Sequence, residues 1–440
     1  MHGFNMAFMG GAIKLFQSNK NRHYLMMASR TIQRSNHSLS LLTKLISIIT
    51  LSVLISACAG SDGNTTSQQQ IETKQNCDNT QQSQVALDAG QKGPWPVGRF
   101  ETVIDRGSLS KKLQTQVWYP ATIGSQQNQQ PIRYDIRRFL KPADAVNVPD
   151  SEDPYLYCDC YDQLPLDTNQ GKFPVIVYIH GTGGFSEVAI SQMTHWASRG
   201  FIVIAANHPQ IQLSDILNNG IFSVLFANQA LDLKYLIEEV HNPDKLQQFS
   251  QVMDSQRIGV IGHSAGAIAL ENAASSEGVQ VIIPQAGNTE IKSGDDLQSI
   301  MVMGAYQDSV IDYSGQVASF EQSSAAKKRL VGVANAGHML FSEICAVKQP
   351  EGGIFAVAEI YNVKVPSIIK RFASDGCSLD QIPPNTGIDL VTFVTTAAFE
   401  ETLKCSTSAS QQLNIAQSLF ENIATFKQEF TDAKPMLDSF

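Results

Sequence analysis

Short runs of apolar residues, bounded by turn-forming residues, recur through the middle of the chain. Runs that are apolar throughout are typical of parallel strands buried on both faces. They lie at 173–179, 201–206, 257–261, 279–283, 300–304 and 329–333. Stretches with helical periodicity separate several of them, at 188–198, 228–240 and 265–274. Upstream, 100–104 and 113–119 alternate apolar and polar positions, as antiparallel edge strands do.

This order of elements predicts the fold class. A β-hairpin followed by alternating strands and helices indicates an α/β domain with an open, mostly parallel sheet and helices on both faces. In such sheets, functional residues lie in loops at the carboxyl ends of the strands. Four long connections with weak periodicity are predicted to be lids or substrate walls. They span 122–171, 208–225, 242–256 and 339–388.

The N-terminal region has a different composition. An apolar stretch at 41–55 follows basic residues and is interrupted by Lys44, which predicts a secretory signal at 1–57 rather than a membrane span. It ends in LISAC at 54–58, which resembles the lipobox of bacterial lipoproteins. The resemblance implies lipidation of Cys58 and anchoring to the bacterial envelope, with Ala59 favouring the outer membrane. An ordinary signal peptide is the alternative. The candidate start sites are Met1, Met26 and Met27.

The segment 58–92 is rich in Gln, Ser, Thr and Asn and nearly free of large apolar residues. Such a segment buries too little apolar surface to offset its ordering entropy, so we predict a disordered tether. The chain of 440 residues is 43% hydrophobic and 17% charged, which is an ordinary globular composition. Residues 93–440 are therefore predicted to form one domain with insertions.

The charge distribution limits the partners. The net charge is −9. The charged residues within 1–57 are all basic, so the remainder of the chain has a larger negative charge. An acidic body without basic clusters excludes nucleic acid as a partner, because phosphate contacts need a positive face. The expected partners are a small-molecule or lipid ester and, through the anchor, a membrane. Protein partners stay open.

Six cysteines remain besides Cys58, and an exported protein can keep them as disulfides. We predict a Cys345–Cys377 bond, because both residues lie in one insertion. No metal site is predicted, because no second pair or nearby His accompanies the CDC sequence at 158–160. The unassigned cysteines are Cys77, Cys158, Cys160 and Cys405.

The sequence GHSAG at 262–266 directly follows the apolar run at 257–261 and precedes a helical pattern. This is G-x-S-x-G in the context that a nucleophile elbow requires, strand then turn then helix. A strained turn lifts the hydroxyl of Ser264 above the sheet, and side chains at Gly262 or Gly266 would collide with neighbouring backbone. The pattern predicts Ser264 as a nucleophile.

A serine nucleophile needs a base, and the base needs an orienting carboxylate, in the chain order Ser, acid, His. His338 follows the last predicted strand and is the sole histidine downstream of Ser264, so we predict it as the base. Asp308, four residues beyond the run at 300–304, is the predicted acid. Asp312 is its close competitor. Weaker candidates precede the strand, at Asp295 and Asp296.

The sequence HGTGG at 180–184 follows the run at 173–179. Small residues there let the backbone pass beneath a scissile carbonyl and present an N–H group to an oxyanion. We predict Thr182 and Ala265 as the donors, with Gly183 as the alternative to Thr182. The remaining histidines near this region are predicted to be structural, namely His180, His208 and His263.

Several segments together resemble a broad group of esterases. They are WPVGR at 95–99, VWYP at 117–120, FPV at 173–175, HG at 180–181 and the elbow, with Asp308 and His338. The group includes bacterial relatives of platelet-activating-factor acetylhydrolase, dienelactone-hydrolase-like proteins and cutinase-like polyesterases, and the similarity spans 93–402. It implies the α/β-hydrolase fold and Ser-dependent hydrolysis of carboxylic esters without a metal or organic cofactor. Dienelactone hydrolases carry Cys at the elbow, so Ser264 argues against that activity.

The sequence therefore predicts a serine esterase that uses a Ser-His-Asp triad. The insertions at 122–171 and 339–388 leave its substrate open. One alternative is a lipase- or phospholipase-type activity on membrane lipids. The other is a surface-binding lipoprotein without turnover.

Overall fold

The computed structural model describes residues 88–431 apart from Ser108, Ser110, Pro350 and Glu351. The predicted signal peptide at 1–57, the lipidation site Cys58 and most of the tether lie outside these residues. Within the described part of the chain, no helix is long and apolar enough to cross a membrane.

The strands of the described residues form one large and one small sheet. They are β1 (Val97–Ile104), β2 (Leu113–Pro120), β3 (Arg133–Asp135), β4 (Tyr155–Tyr157), β5 (Tyr161–Asp162), β6 (Phe173–Ile179), β7 (Ile202–Asn207), β8 (Met253–His263), β9 (Val279–Gln285), β10 (Ser299–Ala305), β11 (Lys327–Val333) and β12 (Ile423–Phe430). The large sheet has the order β12-β11-β10-β9-β8-β6-β7-β2-β1-β5, and β3 pairs with β4 separately. From β7 to β11 all neighbours are parallel, whereas β2 and β12 pair antiparallel to β7 and β11.

The residues of β6 show why the sheet is covered on both sides. All seven are buried, and successive side chains enter opposite cores. Ile176 and Tyr178 pack in the first core, whereas Val175 and Val177 pack in the second. A strand without a polar face needs cover on both faces of the sheet.

Helices supply this cover. They are α1 (Pro142–Ala145), α2 (Ile190–Ser198), α3 (Leu213–Asn219), α4 (Gln229–His241), α5 (Ala265–Ile268), α6 (Tyr313–Gln322), α7 (Ile354–Ile360), α8 (Ser367–Ala373), α9 (Pro384–Leu403) and α10 (Thr407–Leu419). Trp196 of α2 and Val394 of α9 pack in the first core, and Leu233 and Leu236 of α4 pack in the second. The sheet and its two helical layers confirm the predicted fold class.

Several predicted boundaries need correction. β8 begins at Met253, inside the connection predicted at 242–256, and α9 begins at Pro384, inside the insertion predicted at 339–388. The helix predicted at 265–274 is wrong beyond Ile268, because the backbone continues there in tighter turns with i→i+3 hydrogen bonds. β12 was not predicted, because it is an edge strand in which only Ile423 is buried.

The start of the domain also differs from its predicted position at residue 93. Ala89 is already fully buried, and its carbonyl accepts a hydrogen bond of 2.8 Å from His195 Nε2. The Arg199 guanidinium donates to the carbonyls of Asp88 and Gln91. The folded region therefore includes residues 88–92, which composition alone predicted to be tether.

Disulfides close two of the insertions. The structure contains the predicted Cys345–Cys377 bond and, in the insertion at 122–171, a bond between Cys158 and Cys160. Cys405 is disulfide-bonded as well. The CDC sequence therefore forms a local covalent loop.

Candidate active site

Ser264 occupies the turn between β8 and α5. Its backbone has φ +56° and ψ −119°, a conformation that residues other than Gly rarely adopt. A Cβ atom on Gly262 would lie 2.5 Å from the Gly266 carbonyl oxygen, and one on Gly266 would lie 2.1 Å from the Ile179 carbonyl oxygen. The two glycines are therefore required by backbone contacts, as the motif predicts.

Three side chains from separate loops form one hydrogen-bonded row. His338 Nε2 lies 2.9 Å from Ser264 Oγ, and His338 Nδ1 lies 2.8 Å from Asp308 Oδ2. All three residues are buried. The hydroxyl can donate to Nε2 while Nδ1–H donates to the carboxylate, which is the arrangement that activates a serine.

Local backbone holds the acid in place. Asp308 Oδ1 accepts hydrogen bonds from the N–H groups of Val310 and Ile311, at 2.8 and 2.7 Å. The competing Asp312 instead caps α6, where it accepts a 2.9 Å bond from the Ser314 N–H. The carboxylate of Asp312 is therefore engaged at the start of α6.

The remaining acid candidates, Asp295 and Asp296, lie in the loop before β10. Asp296 accepts a 2.9 Å bond from the Gly278 N–H, at the amino end of β9. This is the edge of the sheet opposite Ser264. The structure therefore does not bring these two carboxylates to the row.

Within the described part of the chain, two backbone N–H groups of the loops around the nucleophile have no hydrogen-bond partner. Among the described residues, no hydrogen bond uses the N–H of Thr182 or of Ala265. The Gly183 N–H, by contrast, donates to the Ile211 carbonyl at 2.8 Å. Gly181 lies against the elbow, since a Cβ there would be 2.9 Å from Ser264 Cβ. The loop can therefore offer the Thr182 N–H to an oxyanion, whereas the alternative donor is already engaged.

The loop after β6 rests on a buried polar chain. His180 Nδ1–H donates to the Gly181 carbonyl at 2.8 Å, and His180 Nε2 accepts a 3.0 Å bond from the His208 N–H. His208 Nδ1 lies 3.0 Å from Asp232, which also accepts a 2.6 Å bond from the Arg106 guanidinium. Burial lowers the pKa of His180 well below its usual value, which keeps this imidazole neutral. These contacts fit the predicted structural role of His180 and His208.

His263 supports the base from the side. Its Nε2–H donates to the His338 carbonyl at 3.0 Å, and the two rings lie 4.8 Å apart. Burial, with a smaller effect of the neighbouring His338, lowers the pKa of His263 to about 3. The ring is therefore a neutral hydrogen-bond donor.

Sequence reasoning missed Asp375. Its carboxylate accepts a 2.6 Å bond from the His338 N–H and a 3.1 Å bond from the Ser309 N–H. The residue belongs to the insertion at 339–388, which is remote in sequence from the acid loop. An Asp beside a Gly in a polar segment is an ordinary turn pattern, so the sequence carries no signal for this contact.

Two predicted insertions meet over the loop at 180–184. A Cβ on Gly183 would lie 3.6 Å from Ile369 of α8 and 3.8 Å from Ile216 of α3. Ile216 comes from the connection at 208–225 and Ile369 from the insertion at 339–388. These segments can therefore form walls of a substrate site, as their length predicts.

Comparisons with known proteins agree with this picture. Residues 80–212 match the family platelet-activating factor acetylhydrolase, isoform II. This match includes the loop at 180–184 and ends before the elbow. No protein of curated function matches the chain.

Solved structures share the fold. A ferulic acid esterase from Streptomyces cinnamoneus superimposes with a TM-score of 0.50 at 16% identity, covering 72% of this chain and 92% of that one. The chain thus has the α/β-hydrolase fold and resembles the acetylhydrolase family. Together the family match and the fold support a carboxylic ester hydrolase.

Proposed function

We propose that this protein hydrolyses carboxylic esters through an acyl-enzyme on Ser264. The observation that carries the proposal is the hydrogen-bonded row of Ser264, His338 and Asp308, with distances of 2.9 and 2.8 Å. The same three residues follow the chain order of α/β-hydrolase triads. The strained backbone at Ser264 adds support, because such strain persists mainly where function requires it.

In the first step, Ser264 Oγ attacks the ester carbonyl while its proton passes to His338 Nε2. Asp308 holds the ring through Nδ1–H and stabilises the imidazolium. The N–H groups of Thr182 and Ala265 donate to the oxyanion of the tetrahedral intermediate. Collapse of this intermediate breaks the bond to the alcohol, which takes the proton from His338.

In the second step, water attacks the acyl-enzyme. His338 accepts a proton from the water, a second tetrahedral intermediate forms, and its collapse releases the carboxylic acid. Ser264 Oγ recovers its proton from the imidazolium. The reaction balances with water as the only co-substrate.

Covalent labelling tests this proposal. We expect a fluorophosphonate probe to form an adduct at Ser264 in the purified, folded chain, because the activated hydroxyl attacks the phosphorus atom. The matched control is Ser264→Ala, which should show no adduct at an unchanged melting temperature. Peptide mass spectrometry locates the adduct. Absence of labelling at Ser264 in the folded protein would contradict the proposal.

A lipid ester is the second candidate substrate. The 3₁₀ helix Ile221–Phe226 follows α3 and leaves Phe222, Leu225 and Phe226 exposed, at 71%, 54% and 71%. Exposed apolar side chains near a site favour an apolar ligand or surface, and the acetylhydrolase match points the same way. A panel of p-nitrophenyl esters separates the candidates, since a sharp preference for short acyl chains contradicts the lipase-type activity.

A binding protein without turnover is the third candidate function, and the Ser264→Ala variant distinguishes it from an enzyme. A binding protein would keep all its functions in this variant. We expect instead complete loss of ester hydrolysis, because the nucleophile is removed.

We also propose that the protein is exported and anchored through a lipid on Cys58. The support is the lipobox-like sequence at 54–58 after a basic and apolar segment. Cells grown with an alkyne fatty acid should yield labelled protein in the membrane fraction. In Cys58→Ser the label should be lost, and a labelled Cys58→Ser chain would contradict the proposal.

A further inference from the structure

The carboxylate of Asp375 joins two loops of the candidate triad. Oδ1 accepts the His338 N–H at 2.6 Å. Oδ2 accepts the Ser309 N–H at 3.1 Å and also the Ser309 hydroxyl. One side chain therefore binds the backbone of the base and the residue next to the acid.

The backbone of His338 is held at both of its polar groups. Asp375 accepts its N–H, and His263 Nε2–H donates to its carbonyl at 3.0 Å. The imidazole then has fixed partners at both nitrogens, Ser264 and Asp308. Loss of the Asp375 contact would free the peptide that sets the position of the ring.

The loop that carries Asp308, the acid loop, is also held by hydrogen bonds. The N–H groups of Val310 and Ile311 fix the carboxylate of Asp308 from within the loop. Asp375 binds Ser309, between the acid and these donors. It thereby links the acid loop to the base loop through a residue that belongs to neither.

Further contacts fix the position of Asp375. Its carbonyl accepts a 2.8 Å bond from the Met339 N–H. A Cβ on Gly337 would lie 2.4 Å from Asp375 Oδ1 and 2.5 Å from Gly376 N, so the two segments touch through glycines. The Cys345–Cys377 disulfide closes the insertion two residues beyond Asp375. The insertion therefore supplies more than a wall for the substrate.

We propose that Asp375 is a positioning residue, whose carboxylate clamps the loops of His338 and Asp308 in the geometry that activates Ser264. This role rests on the proposed function. A carboxylate suits it because both oxygens only accept, whereas an amide places an NH₂ donor against one of the N–H groups. Small displacements of reacting groups are costly, and one of 1 Å lowers rates by about a hundredfold.

The test compares Asp375→Asn with Asp375→Glu and with Asp380→Asn, a carboxylate of the same insertion that bonds the Ser378 hydroxyl. Turnover of p-nitrophenyl acetate and the rate of fluorophosphonate labelling are measured for each, together with the melting temperature. For Asp375→Asn we expect kcat and the labelling rate to fall together by about tenfold or more, with KM nearly unchanged. Asp375→Glu should recover part of this loss, and Asp380→Asn should match the wild type.

Wild-type kcat and labelling in Asp375→Asn would overturn the inference, and so would a loss confined to KM. If Asp375→Asn lowers the melting temperature strongly, Ser309→Ala decides, because it removes one clamp contact and keeps the backbone. It should lose activity several-fold, and wild-type activity there would overturn the inference. A wild-type chain that is never labelled would overturn the proposed function, and this role with it.

Discussion

At the scale of single residues, burial acts on two titratable side chains near His338. It lowers the pKa of His263 to about 3 and raises the pKa of Glu343 to about 7. Both shifts favour the neutral form, because burial penalises charge. His263 thereby keeps its Nε2–H for the His338 carbonyl. Glu343 accepts a hydrogen bond from the Ser191 N–H, which opposes part of its shift.

Glu343 makes stability depend on pH. Its pKa rises from 4.5 in the unfolded chain to about 7 in the folded one, so the folded state binds more protons between these values. Stability from this group is therefore full below pH 4.5, is lost as pH rises through the window, and stays lost above pH 7. Gln is neutral throughout. We expect Glu343→Gln to gain stability relative to the wild type as pH rises across this window.

Urea unfolding of both proteins at about pH 4.5 and about pH 8 measures this difference. An exposed carboxylate provides the control, and Asp105→Asn should show no comparable change. The same stability difference at both pH values would contradict a buried, partly protonated Glu343.

At the scale of elements, the insertions determine how the loops of the site are held. The insertion at 339–388 contributes Asp375 to the triad loops and Ile369 to the wall over Gly183. It contains α7 and α8, each of seven residues, and helices this short are marginal without tertiary contacts. The disulfide Cys345–Cys377 is therefore important for its order.

We expect the double variant Cys345→Ser/Cys377→Ser to lose stability and part of its kcat. The bond joins residues 32 apart, and closing a loop of this size constrains the unfolded chain by about 3 to 4 kcal/mol. The activity falls because Asp375 lies two residues from Cys377. Urea unfolding and ester turnover measure the two effects.

Cys158→Ser/Cys160→Ser is the matched control, because its bond joins residues two apart and constrains much less of the chain. It should cost less stability and leave kcat unchanged. Equal effects of the two double variants would contradict the role assigned to Cys345–Cys377.

At the scale of the whole molecule, the parallel sheet brings the residues of the candidate site together. The loops after β6, β8, β10 and β11 leave the same edge because these strands run in one direction. They carry Thr182, Ser264, Asp308 and His338. The first core includes the fully buried Trp118 and Trp196, whereas parts of the insertions at 122–171 and 339–388 form a small separate cluster around Val148, Val357 and Val363.

This division predicts two transitions in urea. Fluorophosphonate labelling of Ser264 should be lost at a lower urea concentration than tryptophan fluorescence, because the insertions open before the core. The labelling, measured by mass spectrometry, and the tryptophan fluorescence are followed in the same samples. Coincident curves would contradict this order and indicate that the insertions and the core unfold together.

The sequence by itself determined features that depend on neighbouring residues. The glycines at 262 and 266 are required by backbone contacts within the turn and with β6, so GHSAG between an apolar run and a helical pattern predicts the elbow. The strand at 173–179 was predicted with its observed bounds, because burial on both faces leaves a continuous apolar run. Marginal elements such as β12 lack such a pattern.

Only the tertiary structure decided between residues of equal chemistry. Asp308 reaches His338, whereas Asp312 caps a helix. Among the residues that the structure describes, the Thr182 N–H has no partner, whereas the Gly183 N–H donates to Ile211. Asp375 meets the triad loops across an insertion. In each case the deciding contact joins segments far apart in the chain. Local pattern carries no information on such contacts, because they form only when the packed core closes the loops between them.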